Sequence, residues 1–452
     1  MNEILNKRTE RAKHFDLGNG QYQYIGFTAP VHYKNSLGEW EDIVVDFQPD
    51  GLGNLISDKN KISCGFRQDG KLEKYFGLRY DADHQFEATV FDIKLDGIAN
   101  VLTSNFVEVA QKTSDRIVKN KIDANVEIEN RLNEVSLKNY FRITNQVEDF
   151  SITEQIHLKG LTCNNKKDKD KYIPDEQGNF NFVDEKGKFK FGIHQPFFTD
   201  AIGKNYQTVQ HELSVTKEGL LFYTKTPTKE GKDDLVLASF PIMVDADTFY
   251  STTKDGYVQS NTGAWDTVHH EATGSSANNN LNSIFAQSVQ SKSNFFIQRA
   301  FLYFDTSTIG AGNTVTNVVL SLYLLTTADD TSVQKGTQAA TLTAADIDSF
   351  SGTLYTHLDP TANQYNDWTL GSSSSDQACI DVEKAGTTKY CVREYTYDYL
   401  DEAVTYTLVG ANFWSAEEDQ AGERRPKLVV TYTAAGSARS GFTNFANGVG
   451  LV

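Results

Sequence analysis

The sequence predicts an all-β protein of two or more β-sandwich, jelly-roll-like domains with a short C-terminal tail. Three observations carry this. Apolar and polar residues alternate in short runs along the chain, turn dipeptides separate those runs, and the composition changes once, near residue 250. Alternation puts the apolar side chains of a strand on one face. Closely spaced strands joined by tight turns build antiparallel sandwiches rather than parallel α/β layers.

In chain order, the strand signals are Gln21-Tyr-Gln-Tyr-Ile-Gly-Phe27, Phe86-Glu-Ala-Thr-Val-Phe91, Asn125-Val-Glu-Ile-Glu129 and Leu320-Ser-Leu-Tyr-Leu324. Turns are expected at Asn19-Gly20, Asp50-Gly51, Asp69-Gly70, Asp96-Gly97 and Asp255-Gly256, because such pairs accept the positive φ of tight hairpins. Helix is expected only at Asn105 to Lys112 and Thr343 to Phe350, the second with Thr343 and Asp346 at capping-box spacing. Of the 43 Lys and Arg, 32 fall in residues 1–251, and the remainder of the chain is rich in Ser, Thr, Ala and Asn. The shift gives one domain at 1–247, a second at 248–433 and a tail at 434–452. The tail carries Phe442, Phe445, Val449, Leu451 and Val452, apolar side chains suited to docking on a neighbouring subunit.

Composition bounds the function. With 39% hydrophobic residues, the 452-residue chain can bury full cores. A net charge of −17 argues against a nucleic-acid partner, since phosphate binding needs clustered Lys and Arg. Lys166, Lys167, Lys169 and Lys171 are interleaved with Asp168 and Asp170, so this run is nearly neutral. No membrane span is expected, and Met1-Asn-Glu-Ile-Leu-Asn-Lys-Arg8 lacks the apolar stretch of a secretory signal.

No G-x-S-x-G, H-E-x-x-H or Walker motif is present, and Gly310-Ala-Gly312 lacks the third glycine of a dinucleotide fingerprint. No catalytic residue is therefore expected. His269-His270 reads as part of a polar loop. Neighbours in an extended segment point to opposite sides, so no metal site is expected there. Asp81-Ala-Asp-His-Gln-Phe-Glu87 and Asp245-Ala-Asp247 could offer oxygens to a structural Ca²⁺, but neither has the glycine and terminal Glu of an EF-hand loop. No other cofactor is expected. Trp265, Tyr365 and Trp368 could stack on sugar rings, whereas Trp414 reads more as core. Cys379 and Cys391 flank what reads as a hairpin tip, Glu383 to Lys389, within disulfide reach. Cys64 and Cys163 read as buried thiols.

Four segments of the second part carry a resemblance: Asp255-Gly-Tyr-Val258, Arg299-Ala-Phe-Leu-Tyr-Phe-Asp305, the stretch from Ile309 to Tyr323, and Arg425-Pro-Lys-Leu-Val-Val-Thr-Tyr432. Together they resemble the DNRLRE domain family, close to carbohydrate-binding module family 96. The resemblance implies a jelly-roll sandwich of the kind found on secreted bacterial proteins and phage structural proteins. The residues themselves imply an Asx turn at Asp305 and a carboxylate partner for Arg299. Arg8-Thr-Glu-Arg11, Phe15-Asp-Leu-Gly-Asn-Gly20 and Pro30-Val-His-Tyr-Lys34 to Gly38-Glu-Trp40 resemble the N-terminal region of wall-associated and Rhs-type surface proteins. The expectation is a non-enzymatic virion structural protein: a capsid decoration, head fibre or tail-associated subunit. It would be a homo-oligomer among other subunits, with cell-surface glycans as a further ligand class. The alternative is a carbohydrate-binding module of a cell-surface or secreted protein.

Overall fold

The computed structural model describes residues 1–99, 105–175, 178–202, 204–244, 247–249, 255–261, 263–278, 283–291, 294–326, 329–402, 404, 409–415 and 424–435. Strand accounts for 53% and helix for 8%. The pairings between strands are antiparallel, and the molecule is all-β.

Two compact units share the chain. One lies within Ala29–Thr253. The other joins Met1–Thr28 to Lys254–Ser415 and the segment from Arg425. In the first unit, the long strands Gln85–Leu95 and Phe150–Lys159 pair at the centre of one large sheet. Val126–Leu132 and Ser136–Ile143 pair in the other. One apolar core takes Phe66, Phe76, Phe86 and Ile156 from the first sheet and Ile128, Leu137, Phe141 and Phe191 from the second. Alternation does this directly, since every second residue of Gln85–Val90 is buried.

The second unit packs a six-stranded sheet on an eight-stranded one. The six-stranded sheet places Gln21–Phe27 between Ala12–Gly18 and Lys427–Thr433, and continues through Thr314–Tyr323 to Tyr365–Gly371. The other is centred on Asn294–Asp305, which pairs with Gly256–Ser260, Ser283–Ser291 and Thr387–Glu394. Ala300, Leu302 and Phe304 face the core between the sheets, with Tyr24, Leu320, Trp368, Val392 and Leu428. Phe301 points to the other face, under Leu342 and Ile347. Asp305 closes the strand as an Asx turn, accepting from the Ser307 N–H at 3.1 Å.

Several elements differ from expectation. Residues 1–28 join the C-terminal unit rather than a 1–247 domain, because the partner of Gln21–Phe27 is Lys427–Thr433. Asn105 to Lys112 is not helical: Glu108–Ser114 is a strand paired with Ile117–Lys121. Thr343 to Phe350 holds one 3₁₀ turn, Ala344–Asp346, with its capping box formed. Asn19-Gly20 and Asp96-Gly97 do turn with positive φ, but Asp255-Gly256 leads straight into the strand Gly256–Ser260. The helix Lys229–Leu237 has no counterpart among the expected elements. Thr228 caps it, accepting from the Gly231 N–H at 3.0 Å. The tail beyond residue 435 lies outside the described residues.

Candidate functional site

A buried polar centre lies on the outer face of the eight-stranded sheet. Arg299 and Arg393 sit on the paired strands Asn294–Asp305 and Thr387–Glu394. Their guanidiniums converge on one carboxylate, Asp398. Each donates Nε to Asp398 Oδ2 at 3.0 Å and Nη2 to Oδ1 at 2.7 Å. Asp398 is fully buried, and Arg299 and Arg393 are 1% and 5% exposed. Burial by itself would raise the Asp398 pKa, but the charges of Arg299 and then Arg393 outweigh it and hold the carboxyl well below the usual range. Glu394 caps the turn carrying Asp398, accepting from the N–H groups of Thr396, Tyr397 and Asp398 at 2.8, 2.6 and 3.0 Å. The ring of Phe350 covers the Arg393 guanidinium at 4.3 Å. This is the carboxylate partner expected for Arg299, doubled by a second arginine.

Against this centre stands the short helix Trp265–His269, closed by His270. His269 Nε2 donates to the Asp398 carbonyl at 2.6 Å, and Arg299 Nη2 donates to the His269 carbonyl at 3.0 Å. The two imidazoles meet, with His269 Nδ1 3.3 Å from His270 Nε2. Asp401 stands beside both, its oxygens 3.1 Å from His269 Nδ1 and 3.7 Å from His270 Nε2. Burial alone would lower the His269 pKa, but Asp398 outweighs it and raises the value. The expectation of divergent rings is therefore corrected. Residues 265–269 are helical, so neighbouring side chains lie about 100° apart rather than 180°.

The other candidates fare differently. Trp368 is 1% exposed in the sandwich core and Trp265 is 8% exposed, stacked on His269 with ring centroids 5.3 Å apart. Neither presents a ring face to a sugar. Tyr365 is half-buried, its hydroxyl donating to the Arg425 carbonyl at 2.9 Å and its ring covered by Lys427 Nζ at 4.0 Å. Cys379 and Cys391 are free thiols. Cys379 lies on the helix Gln377–Ile380 against the inter-sheet core, whereas Cys391 points out of that core beside Phe301. Opposite faces of one sheet preclude the expected bridge. Cys64 is buried and Cys163 half-buried. In Asp81–Glu87 the Asp81 carboxylate is taken up by the N–H groups of Asp83 and His84, both at 2.9 Å, as a turn rather than a cation cage. Asp245 and the Asp247 side chain lie outside the described residues.

No family model matches the chain. It is 21% identical over 95% of its length to proteins named tRNA(Glu)-specific nuclease WapA, of Bacillus subtilis subsp. natto, and tRNA nuclease WapA, of Bacillus subtilis. It is 22% identical over 62% of its length to tRNA3(Ser)-specific nuclease WapA of Bacillus spizizenii. The chain spans 18%, 18% and 12% of these relatives. Among solved structures, a mutant of heparan sulfate lyase HepC from Pedobacter heparinus aligns with 53% of this chain and 41% of its own, at 11% identity. Its TM-score of 0.27 is too low to bear on the fold.

The names of these relatives overturn the expectation of a non-enzymatic virion subunit without a nucleic-acid partner. The physical error lay in two steps. Net charge averages over the whole chain and excludes no local site for a polyanion. A missing linear motif likewise excludes no site assembled from residues distant in the sequence.

Proposed function

We propose that this chain is a β-sandwich segment of a tRNA nuclease of the WapA kind. The observation that supports the reading is the alignment, which runs through 95% of the chain and so spans both units. Within this reading, residues 255–432 form a DNRLRE-like module. The likeness of residues 8–40 to wall-associated surface proteins supports a place at the cell surface.

The test uses the natural protein that carries this chain, at its full natural length. Incubated with bulk tRNA and Mg²⁺, Mn²⁺ or Zn²⁺ in turn, it is expected to yield discrete fragments on a denaturing gel. Intact tRNA under all three conditions would overturn the reading. The same assay on residues 1–452 alone locates the chemistry, because fragments from the isolated chain would place cleavage within it.

A further inference from the structure

We propose that His269 Nδ1, His270 Nε2 and the Asp401 carboxylate form a site for one divalent transition-metal ion, best matched by Zn²⁺. The inference rests on geometry and stands apart from the tRNA reading.

The first argument is proton placement. His269 Nε2 faces the Asp398 main-chain carbonyl at 2.6 Å, and His270 Nδ1 faces the Asp266 main-chain carbonyl at 3.0 Å. A carbonyl only accepts, so each of these nitrogens carries the proton of its ring. The lone pairs of the neutral rings are then His269 Nδ1 and His270 Nε2, the two nitrogens that face each other at 3.3 Å. Two lone pairs and a carboxylate turned toward one point repel unless a proton or a metal cation lies between them. A histidine ligand whose outer N–H is fixed on a carbonyl is the usual support of a metal site.

The second argument is size. His269 Nδ1 stands 3.3 Å from His270 Nε2 and 3.1 Å from Asp401 Oδ1, His270 Nε2 stands 3.7 Å from Asp401 Oδ2, and one ligand atom from each residue can be chosen so that all lie within 4.8 Å of one another. Ligands about 2.0–2.1 Å from a tetrahedral zinc stand about 3.3–3.4 Å from one another. Two imidazoles and one carboxylate favour such a borderline cation over Ca²⁺ or Mg²⁺, which take oxygen ligands. The fourth position is open to water, since the His270 and Asp401 side chains are 56% and 47% exposed.

Asp401 has φ of +58°, following the turn that ends at Leu400, a position where glycine is the usual residue. Asp is among the L-residues that visit this region most readily, and glycine adopts it at lower cost still.

This makes the test clean. The chelator-stripped chain is titrated with ZnCl₂ by calorimetry and with CoCl₂ by visible absorption. One ion per chain in the micromolar range or tighter is expected, with the ligand-field bands of a four-coordinate site. Asp401→Gly relieves the positive φ, so the metal-free variant should melt no lower than the parent. It should, however, lose the rise in melting temperature that Zn²⁺ gives the parent. His270→Ala, at an exposed ring, should weaken binding by at least about tenfold, the scale on which even a ligand's outer partner matters. His84→Ala, in the other unit, should leave it unchanged. No one-to-one binding by the parent, or parental affinity in both Asp401→Gly and His270→Ala, would overturn the site and leave a proton shared among the three groups.

Discussion

Asp398 carries two arginines, and its removal should show the cost of that arrangement. Replacing it with Asn keeps the shape but removes the fully buried carboxylate that both Arg299 and Arg393 bond, leaving Arg299 only the half-exposed Asp348. Breaking a buried ion pair from one side costs about 3–5 kcal/mol, because the remaining charge is left desolvated. Urea unfolding of Asp398→Asn, followed by tryptophan fluorescence, should show a loss of that order in the unit that holds Arg299. A loss under about 1 kcal/mol, typical of exposed pairs, would mean that solvent reaches the centre. Part of this site is legible in the sequence: a charged residue inside an otherwise apolar run, Arg299 among Ile297, Phe301 and Leu302, must find a counter-charge. Which one is not legible, because Asp398 lies 99 positions away. The histidine pair is hidden for a different reason. Five residues of helix are too few to show a period, so Trp265–His269 reads like a loop.

At the scale of elements, alternation is local and survives into the fold. Gln21–Phe27 is a strand with the bounds its pattern sets, and Phe86 to Phe91 lies within a longer one. What alternation cannot convey is which strand lies beside which. The pairing of Ser283–Ser291 with Val409–Trp414 shows how closely such a contact can be fitted. Gly410 has φ of +124° there, and a Cβ at this position would overlap the Ala286 carbonyl oxygen and the Gln287 backbone. Gly410→Ala therefore meets both a forbidden dihedral and a backbone clash, which only a shift of the strand can relieve. The expected loss is about 2 kcal/mol or more, with hydrogen exchange rising first along residues 283–291. Unchanged protection there would show that the strand absorbs a side chain at 410 without moving.

At the scale of the molecule, the unit of residues 29–253 is inserted into a sandwich whose first strands precede it. The seven residues of Gln21–Phe27 pair one-to-one with Lys427–Thr433, at opposite ends of the sequence. The composition shift near residue 250 marks where the inserted unit ends but carries no trace of where it begins. The N-terminal strands are integral to their core. Tyr24 is 1% exposed and donates its hydroxyl to the Asp305 carbonyl at 2.6 Å. His14 is buried between the Tyr432 and Thr308 hydroxyls, at 3.1 and 2.9 Å. Burial first, and then Lys7, lowers its pKa to about 4, so it is held neutral. Removing residues 1–28 deletes Ala12, His14 and Tyr24 from the core and leaves Lys427–Thr433 as an open edge. Truncation of one large buried side chain already costs about 3–5 kcal/mol, and a whole domain has only about 5–15 kcal/mol to lose. A chain beginning at Ala29 should therefore keep a cooperative melting transition for the 29–253 unit and lose the second one, with residues 254–435 open to protease. A peptide of residues 1–28 added in trans should restore the second transition, because the missing strand supplies its hydrogen bonds without a covalent link. If the shortened chain shows both transitions unaided, the sandwich closes without its first strands, and the insertion is a feature of chain order alone.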